Sequence, residues 1–212
     1  MVTLTKKIRD GITPENALQM IKDGNHRFVT NLKMNRNLLQ QVNDTSDEQY
    51  PFAFILSCID SRTSAELIFD QGLGDIFSCR IAGNILNEDI LGSMEFACKV
   101  AGAKLVMVLG HSECGAIKGA CNNVKMGNLT GLLKKIQVVV KKVSKIGQVN
   151  TKSQDFVELV SKENVKNVLN NIPKKSKIIR DLVKDKKSLL LAQCMIFLAE
   201  KWIFIRIFKI NL

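Results

Sequence analysis

Phe52-Ala53-Phe54-Ile55-Leu56-Ser57 is a continuous apolar run, opened by Pro51 and closed by the polar Asp60-Ser61. Apolar residues at both parities are what a strand needs when helices cover both of its faces. Ile76 to Ile81 and Lys104 to Leu109 read the same way, and helical stretches near 64–71 and 87–101 separate the three. Strands that alternate with helices predict an α/β fold: a single domain with a central, mainly parallel β-sheet flanked by helices.

Upstream, Ala17, Leu18, Ile21 and Phe28 recur at helical spacing after Thr13-Pro14, with Thr13 placed to cap and Pro14 at the first helical position. Residues 35–47 are polar and aperiodic and read as a connecting arm. Downstream, Leu132, Leu133, Ile136, Val140 and Val143 make one helical stripe. Phe156, Leu159, Val160, Val168 and Leu169 make a second, which Asn171-Ile172-Pro173 is expected to stop before Ser176 to Val183 resumes helical spacing. On this reading the domain comprises an N-terminal helical arm at 1–50, an α/β core at 51–187 and an atypical apolar and basic tail at 188–212.

At 212 residues the chain has the size of one domain, and a chain of that size buries roughly 70% of the surface it would expose unfolded. Met1 to Asp10 holds no continuous apolar segment of the kind a secretory signal needs, so a cytoplasmic location is expected. The six cysteines, at 58, 79, 98, 114, 121 and 194, lack the dense spacing of a disulfide framework, which fits a reducing compartment. Cys79, Cys98 and Cys121 are expected as buried small hydrophobes. The net charge of +11 is unevenly placed: residues 1–130 carry 13 basic and 14 acidic side chains, residues 131–212 carry 18 and 6. The excess falls on helical faces such as Lys134-Lys135, Lys141-Lys142 and Lys174-Lys175, with hardly an aromatic among them for base stacking. A solvated basic face, and no nucleic-acid partner, is the expectation. The apolar stretch 188–199 is about twelve residues, short of the roughly 20 that a membrane span needs.

Chemistry enters with Cys58-Ile59-Asp60-Ser61-Arg62, just past the first strand, and His111-Ser112-Glu113-Cys114, just past the third. Functional groups of open parallel sheets gather beyond the carboxyl ends of the strands. If these two strands are neighbours, about 4.8 Å apart, the two loops converge. Two thiolates and an imidazole with a fourth position left open form the donor set of a catalytic zinc, whereas a structural zinc is closed by four ligands. Cys58, His111 and Cys114 are therefore the predicted ligands of Zn2+. Positions 58, 60 and 62 share a parity, so an extended segment sets Asp60 beside the metal and Arg62 beside Asp60. A bidentate pair keeps Asp60 ionised and away from the metal; with the pair broken, Asp60 becomes a fourth ligand and closes the site. The implied reaction is attack by hydroxide on a small electrophile. His26, the remaining histidine, is expected at the surface.

Taken together, these two segments resemble the β-class carbonic anhydrases. Gly24-Asn25-His26-Arg27-Phe28, Phe69-Asp70-Gln71-Gly72-Leu73-Gly74-Asp75-Ile76-Phe77 and Arg80-Ile81-Ala82-Gly83-Asn84 agree with the same family, and the likeness covers about residues 14–185. The resemblance implies zinc-dependent, reversible hydration of carbon dioxide to bicarbonate and a proton, with Asp60 and Arg62 at the catalytic positions. It also implies a homodimer or homotetramer in which the N-terminal helical arm packs on a neighbouring subunit and the active site lies at the interface. Gln49 matches the glutamine that binds substrate across that interface, Phe77 and Ala82 match positions lining an apolar carbon dioxide pocket, and Gly83 falls in the adjoining loop. Ile55 stands where members shut off by bicarbonate carry tryptophan, so an open resting site with Asp60 paired to Arg62 is expected. Two other readings stand beside it: a hydrolase of carbon disulfide or carbonyl sulfide that uses the same zinc, and a non-catalytic protein that lays its basic C-terminal face or apolar tail on an anionic surface.

The tail departs from the family pattern, which continues into a strand ending Gly-Ala-x-Tyr-Asp, a tight turn and a strand opening Gly-x-Val. Here Ser188-Leu189-Leu190-Leu191-Ala192-Gln193-Cys194-Met195-Ile196-Phe197-Leu198 stands instead. Codons permitted for the tail, read in a shifted frame from about Lys187, spell Val-Val-Gly-Thr-Met-Tyr-Asp-Ile-Ser-Ser-Gly-Lys-Val-Asp-Phe, so a frameshift near that point is expected. Leu189 to Leu191 then fill the place of a fourth strand, followed by an improvised turn and edge strand with Trp202, Phe204 and Phe208 exposed.

Overall fold

A computed structural model describes residues 3–145, 153–198 and 201–209, with residues beyond 191 as backbone only. Among the described residues five strands form one sheet: β1 (Ala53–Ser57), β2 (Ile76–Arg80), β3 (Leu105–His111), β4 (Leu189–Leu198) and β5 (Lys201–Lys209). Their order is β2-β1-β3-β4-β5. The first four run parallel and β5 closes the edge antiparallel to β4. All five residues of β1 and all seven of β3 are buried, as central strands covered on both faces must be.

Parity sorts the core into two layers. Phe54 and Leu56 of β1, Val106 and Val108 of β3 and Leu190 of β4 face one side. Against them pack Ile90 and Met94 of α5 (Glu88–Glu95), Val165, Val168, Leu169 and Ile172 of α8 (Gln154–Lys175) and Ile179 of α9 (Lys177–Lys184). Ala53, Ile55, Leu105, Met107, Leu109, Leu189 and Leu191 face the other side, against Ala17 and Ile21 of α2 (Pro14–Val29) and Ala65 and Ile68 of α4 (Ala65–Ile68). Each of the fully buried Val, Leu, Ile, Phe and Met side chains contributes about 1.5–3 kcal/mol. A third cluster caps the carboxyl edge of the sheet: Cys58, Cys114 and Ile117 with Leu133, Ile136, Val139 and Val143 of α7 (Gly127–Val143) and Phe156 and Val160 of α8.

Thr13 caps α2 through the backbone N–H of Asn16 (3.1 Å), with Pro14 at the first helical position, as the sequence predicts. The segment 35–47 corrects its reading as an irregular arm, because Leu38–Asp44 is a helix, α3, capped by Asn37 through the Gln40 N–H (3.0 Å). Its anchor is polar: Gln41 is buried and accepts a hydrogen bond from the Leu73 N–H (3.1 Å), while Leu38, Leu39 and Val42 are exposed. A helix held that way shows no apolar periodicity. α8 also outruns its expected stop, carrying Pro173 in its last turn until Ser176 caps α9 through the Ile179 N–H (3.1 Å). α1 (Lys6–Asp10) precedes α2, and α6 (Gly115–Cys121) follows β3.

Leu189 to Leu191 do occupy the fourth strand, in register with Leu105 to Met107. The antiparallel pairing of β5 slips between Gln193 and Met195, an irregularity that fits a sequence not built for a tight hairpin. The side chains of Cys194, Trp202, Phe204 and Phe208 lie outside the described residues. Among the described residues no helix is long and apolar enough to cross a membrane.

Asp70 ties the N-terminal elements to the loop before β2. Its side chain is 4% exposed and accepts from Arg27 Nε and Arg36 Nη1 (both 2.5 Å) and from the Met34 N–H (3.2 Å). Burial raises its pKa, but the two guanidinium hydrogen bonds and the Met34 N–H outweigh burial and hold it below the ordinary 3.8. A depressed folded-state pKa stabilises above the unfolded value and is lost as pH falls through the folded one. Asp70→Asn is expected to cost about 2–3 kcal/mol at pH 7 in urea unfolding, with the deficit shrinking below about pH 4. A deficit that does not change between pH 7 and pH 3 would refute the assignment.

Candidate metal centre

β1 and β3 are neighbours, in register from Ala53 opposite Leu105 to Leu56 opposite Val108, so their carboxyl ends emerge side by side. Cys58 directly follows β1. His111 is the last residue of β3 rather than the first of the loop, so the rigid sheet itself fixes its backbone. Glu113 then turns through the left-handed region (φ 57°), and Cys114 arrives at the N-cap of α6. All three side chains are buried, and their ligating atoms lie within 4.8 Å of one another, the one such group of three among the described residues.

The geometry suits zinc. Two sulfurs about 2.3 Å from a tetrahedral ion sit about 3.8 Å apart, and Cys58 Sγ lies 3.8 Å from Cys114 Sγ. His111 Nδ1 is 2.8 Å from the Ser112 carbonyl. A carbonyl only accepts, so Nδ1 carries the proton and Nε2 keeps its lone pair for a cation, the usual arrangement of a metal-bound histidine. The thiols are strongly coupled: the Cys114 hydrogen bond pulls the Cys58 thiol down, and the same bond, with burial and the Cys58 charge, pushes Cys114 up. A dication is what lets both be thiolates, and the backbone N–H groups of Ala116 and Ile117 at the start of α6 favour that state at Cys114. The Gly83 N–H lies 3.4 Å from Cys58 Sγ and favours it at Cys58.

Asp60 stands at the rim, its Oδ2 4.0 Å from His111 Nε2. Arg62 grips it bidentately, Nε to Oδ1 at 2.9 Å and Nη2 to Oδ2 at 2.8 Å, and the Arg62 N–H adds a third bond to Oδ1 at 3.0 Å. The Arg62 hydrogen bond is the main reason the Asp60 carboxyl is lowered from 3.8 to about 2. The pairing is as the sequence predicts, but its cause is corrected: residues 60–63 form a turn closed by the Thr63 N–H on the Asp60 carbonyl (2.9 Å), not an extended segment.

Two residues without a predicted role fix this loop. Arg80 donates through Nε to the Cys58 carbonyl (3.0 Å) and through Nη2 to the Asp60 carbonyl (2.5 Å). Thr63 Oγ1 donates to the same two carbonyls, at 3.1 and 2.8 Å. An arginine ending a strand beside the cysteine loop was the available signal for the first; nothing in the spacing marks Thr63. Phe77 is half-buried on β2, edge to face with Phe96 at 6.3 Å; Ala82 is half-buried and Gly83 buried. Gly83 (φ 67°) suits glycine, since an L side chain would strain that backbone and its Cβ would lie 3.2 Å from the Ala116 Cβ and 2.6 Å from Ile136 Cδ1, which would have to shift. Gln49 is exposed and precedes β1, so it enters at the amino end of a strand roughly 16 Å long whose other end carries Cys58. Cys98 is buried, Cys79 and Cys121 are half-buried, and His26 is exposed.

Fold and site define the class: an open parallel-sheet α/β protein with a Cys2His metal centre at the carboxyl edge of neighbouring strands. The carbonic anhydrase family profile matches residues 53–200, and the chain belongs to that family. It is 41% identical over 121 residues to carbonic anhydrase 2 of Mycobacterium tuberculosis H37Rv, a match covering 56% of this chain and 58% of that protein. The chain thus matches less than three fifths of that relative's length. The structure of the β-carbonic anhydrase CcaA has the same fold, with TM-score 0.68 and 24% identity over 84% of this chain and 83% of that one. So does a β-carbonic anhydrase described as tetrameric, from Sordaria macrospora, with TM-score 0.67 and 19% identity over 93% and 98% of the two chains.

Proposed function

We propose that this chain is a carbonic anhydrase, reversibly hydrating carbon dioxide to bicarbonate and a proton, with Zn2+ held by Cys58, His111 and Cys114. The observation that carries the reading is the buried Cys58–Cys114 sulfur pair at 3.8 Å beside an imidazole of fixed tautomer. Zinc bound there supplies a Lewis acid that makes solvent at its vacant position nucleophilic near neutral pH. Two thiolates neutralise the dication, which weakens that effect compared with a three-histidine site, so the chain's own groups matter more. Asp60, kept ionised by Arg62, is an acceptor at the rim that orients the attacking solvent by taking its hydrogen bond. The same clamp keeps Asp60 from becoming a fourth ligand, and the open arrangement is the resting one, with Ile55 fully buried in the sheet.

Phe77, Ala82 and the Gly83 loop form the apolar side of the substrate pocket. Gln49 serves the site of a second copy, because its own site lies at the far end of β1. A homodimer or homotetramer follows, with the arm at 1–50 laid on the neighbour and the exposed Leu38, Leu39 and Val42 of α3 as its apolar contacts. The core at 51–187 carries the zinc, the tail at 188–212 completes the sheet, and the protein works in the cytoplasm. Part of the basic C-terminal face is engaged within the chain, where Lys142 and Lys166 pair with Glu163, and Lys162 with Glu158. That supports a solvated face over an anionic partner surface.

Stopped-flow carbon dioxide hydration, followed while zinc is titrated into metal-free protein, tests the proposal. Activity is expected to rise linearly and to saturate at one zinc per chain. Stoichiometric zinc with hydration at the uncatalysed rate would overturn it.

A further inference from the structure

α8 carries a sequence anomaly that the site explains. Its buried stripe repeats every four residues as Phe156, Val160, Asn164, Val168 and Ile172, with an asparagine where a fifth apolar side chain belongs. Asn164 is 2% exposed and its neighbour Ser161 is 3% exposed. A polar side chain buried that deeply needs a partner and costs stability without one. Both find theirs in the metal-bearing loops. Ser161 Oγ donates to the His111 carbonyl at 2.9 Å, and Asn164 Nδ2 donates to the Gly83 carbonyl at 3.0 Å. Gly83 in turn points its N–H at Cys58 Sγ (3.4 Å).

We infer that Ser161 and Asn164 are positioning residues of the metal centre, a clamp one helical turn long that holds the His111 end of β3 and the Gly83–Cys58 contact at a fixed separation. The inference rests on reading Cys58, His111 and Cys114 as the ligands. The two loops come from opposite sides of the site, Gly83 following β2 and His111 ending β3, with β1 between those strands. His111 ends a strand of the sheet and the Cys58 carbonyl is held by Arg80 and Thr63, whereas the left-handed Gly83 offers its carbonyl to the helix. Asn164 therefore anchors the residue whose N–H faces the Cys58 sulfur, and so holds that donor in place beside it. Ser161, one turn earlier on the same rigid helix, sets the His111 backbone against that reference. Outer groups of this kind orient ligands, and losing one typically weakens metal binding 10–100-fold.

The test uses the full chain with Asn164→Leu, which completes the apolar stripe, and Ser161→Ala, which removes a single oxygen atom; Ser161→Thr keeps the hydroxyl. Zinc affinity is read by competition with a chromophoric chelator, and the thiolate-to-metal charge-transfer band is read on cobalt-substituted protein. Asn164→Leu is expected to bind zinc about 10–100-fold more weakly and to shift the cobalt band, because Cys58 loses an oriented donor. Ser161→Ala is expected to weaken affinity similarly, with Ser161→Thr restoring it, while the melting temperature of the metal-free Ser161→Ala protein stays near wild type. Wild-type zinc affinity and an unshifted band in Asn164→Leu and Ser161→Ala overturn the clamp and leave the ligand assignment standing. Wild-type protein that takes up no stoichiometric zinc overturns the ligand assignment, and the clamp with it.

Discussion

Cys58→Ser is expected to leave purified protein without stoichiometric zinc and with carbon dioxide hydration at the uncatalysed rate. Serine has nearly the size of cysteine, so the 4%-exposed pocket behind β1 stays filled. What disappears is the thiolate. The Cys114 thiol and, to a smaller extent, the Gly83 N–H lower the Cys58 thiol, but no comparable influence brings an alcohol into range as an anion. Cys114 and His111 remain as a two-ligand remnant. Since removal of an outer-shell partner alone costs about 10–100-fold in metal affinity, losing a ligand should cost more than about 100-fold. Metal content by mass spectrometry and hydration by stopped flow check the two effects on one sample, and the melting temperature of the metal-free form shows whether the fold survives. One zinc per chain in well-folded Cys58→Ser protein would rule out Cys58 as a ligand.

The parallel sheet was legible because β1 and β3 are buried on both faces, and such strands advertise themselves by apolar residues at both parities. The cluster of Cys58, His111 and Cys114 was legible for a related reason: Cys58 and His111 sit at or just past the ends of such strands and Cys114 three residues on, so finding the strands located the cluster. α3 was illegible because polar contacts hold it in place, Gln41 above all. The cause of the Asp60–Arg62 pairing was also out of reach, since equal parity and a tight turn both bring positions 60 and 62 together and only the Thr63–Asp60 hydrogen bond distinguishes them. Asn164 lay between, visible as a break in an apolar stripe but without a partner until the chain is folded, and Ser161 left no such mark. Long-range polar contacts, 50 and 81 residues apart in sequence, leave no periodic trace.

Separating Asp60 from Arg62 is expected to cost nearly all the activity while leaving the zinc in place. Asp60→Asn keeps the shape of the side chain but removes the charge, and a positioned hydrogen-bonding group of this kind is worth about 100- to 1000-fold in rate. Zinc content should stay at one per chain, since the three ligands and their supports from Arg80 and Thr63 to the backbone carbonyls are untouched. Arg62→Ala should be as slow by a different route. Asp60 loses the guanidinium bonds at 2.9 and 2.8 Å and keeps only the backbone N–H on Oδ1 at 3.0 Å, which frees Oδ2, already 4.0 Å from the histidine nitrogen, to turn toward a bound metal and compete for its open position. Because Arg62 acts through Asp60, the double variant Asp60→Asn/Arg62→Ala should be no slower than Asp60→Asn alone, a non-additivity that a double-mutant cycle reads directly from kcat/KM. Anion inhibition separates the two single variants: an anion such as thiocyanate should bind Asp60→Asn, whose metal stays open, and should bind Arg62→Ala at least about tenfold more weakly, because its own carboxylate competes. Additive losses in the cycle would mean that Arg62 contacts the substrate itself, and the division of labour at the rim would then have to be redrawn with the guanidinium in the catalytic role.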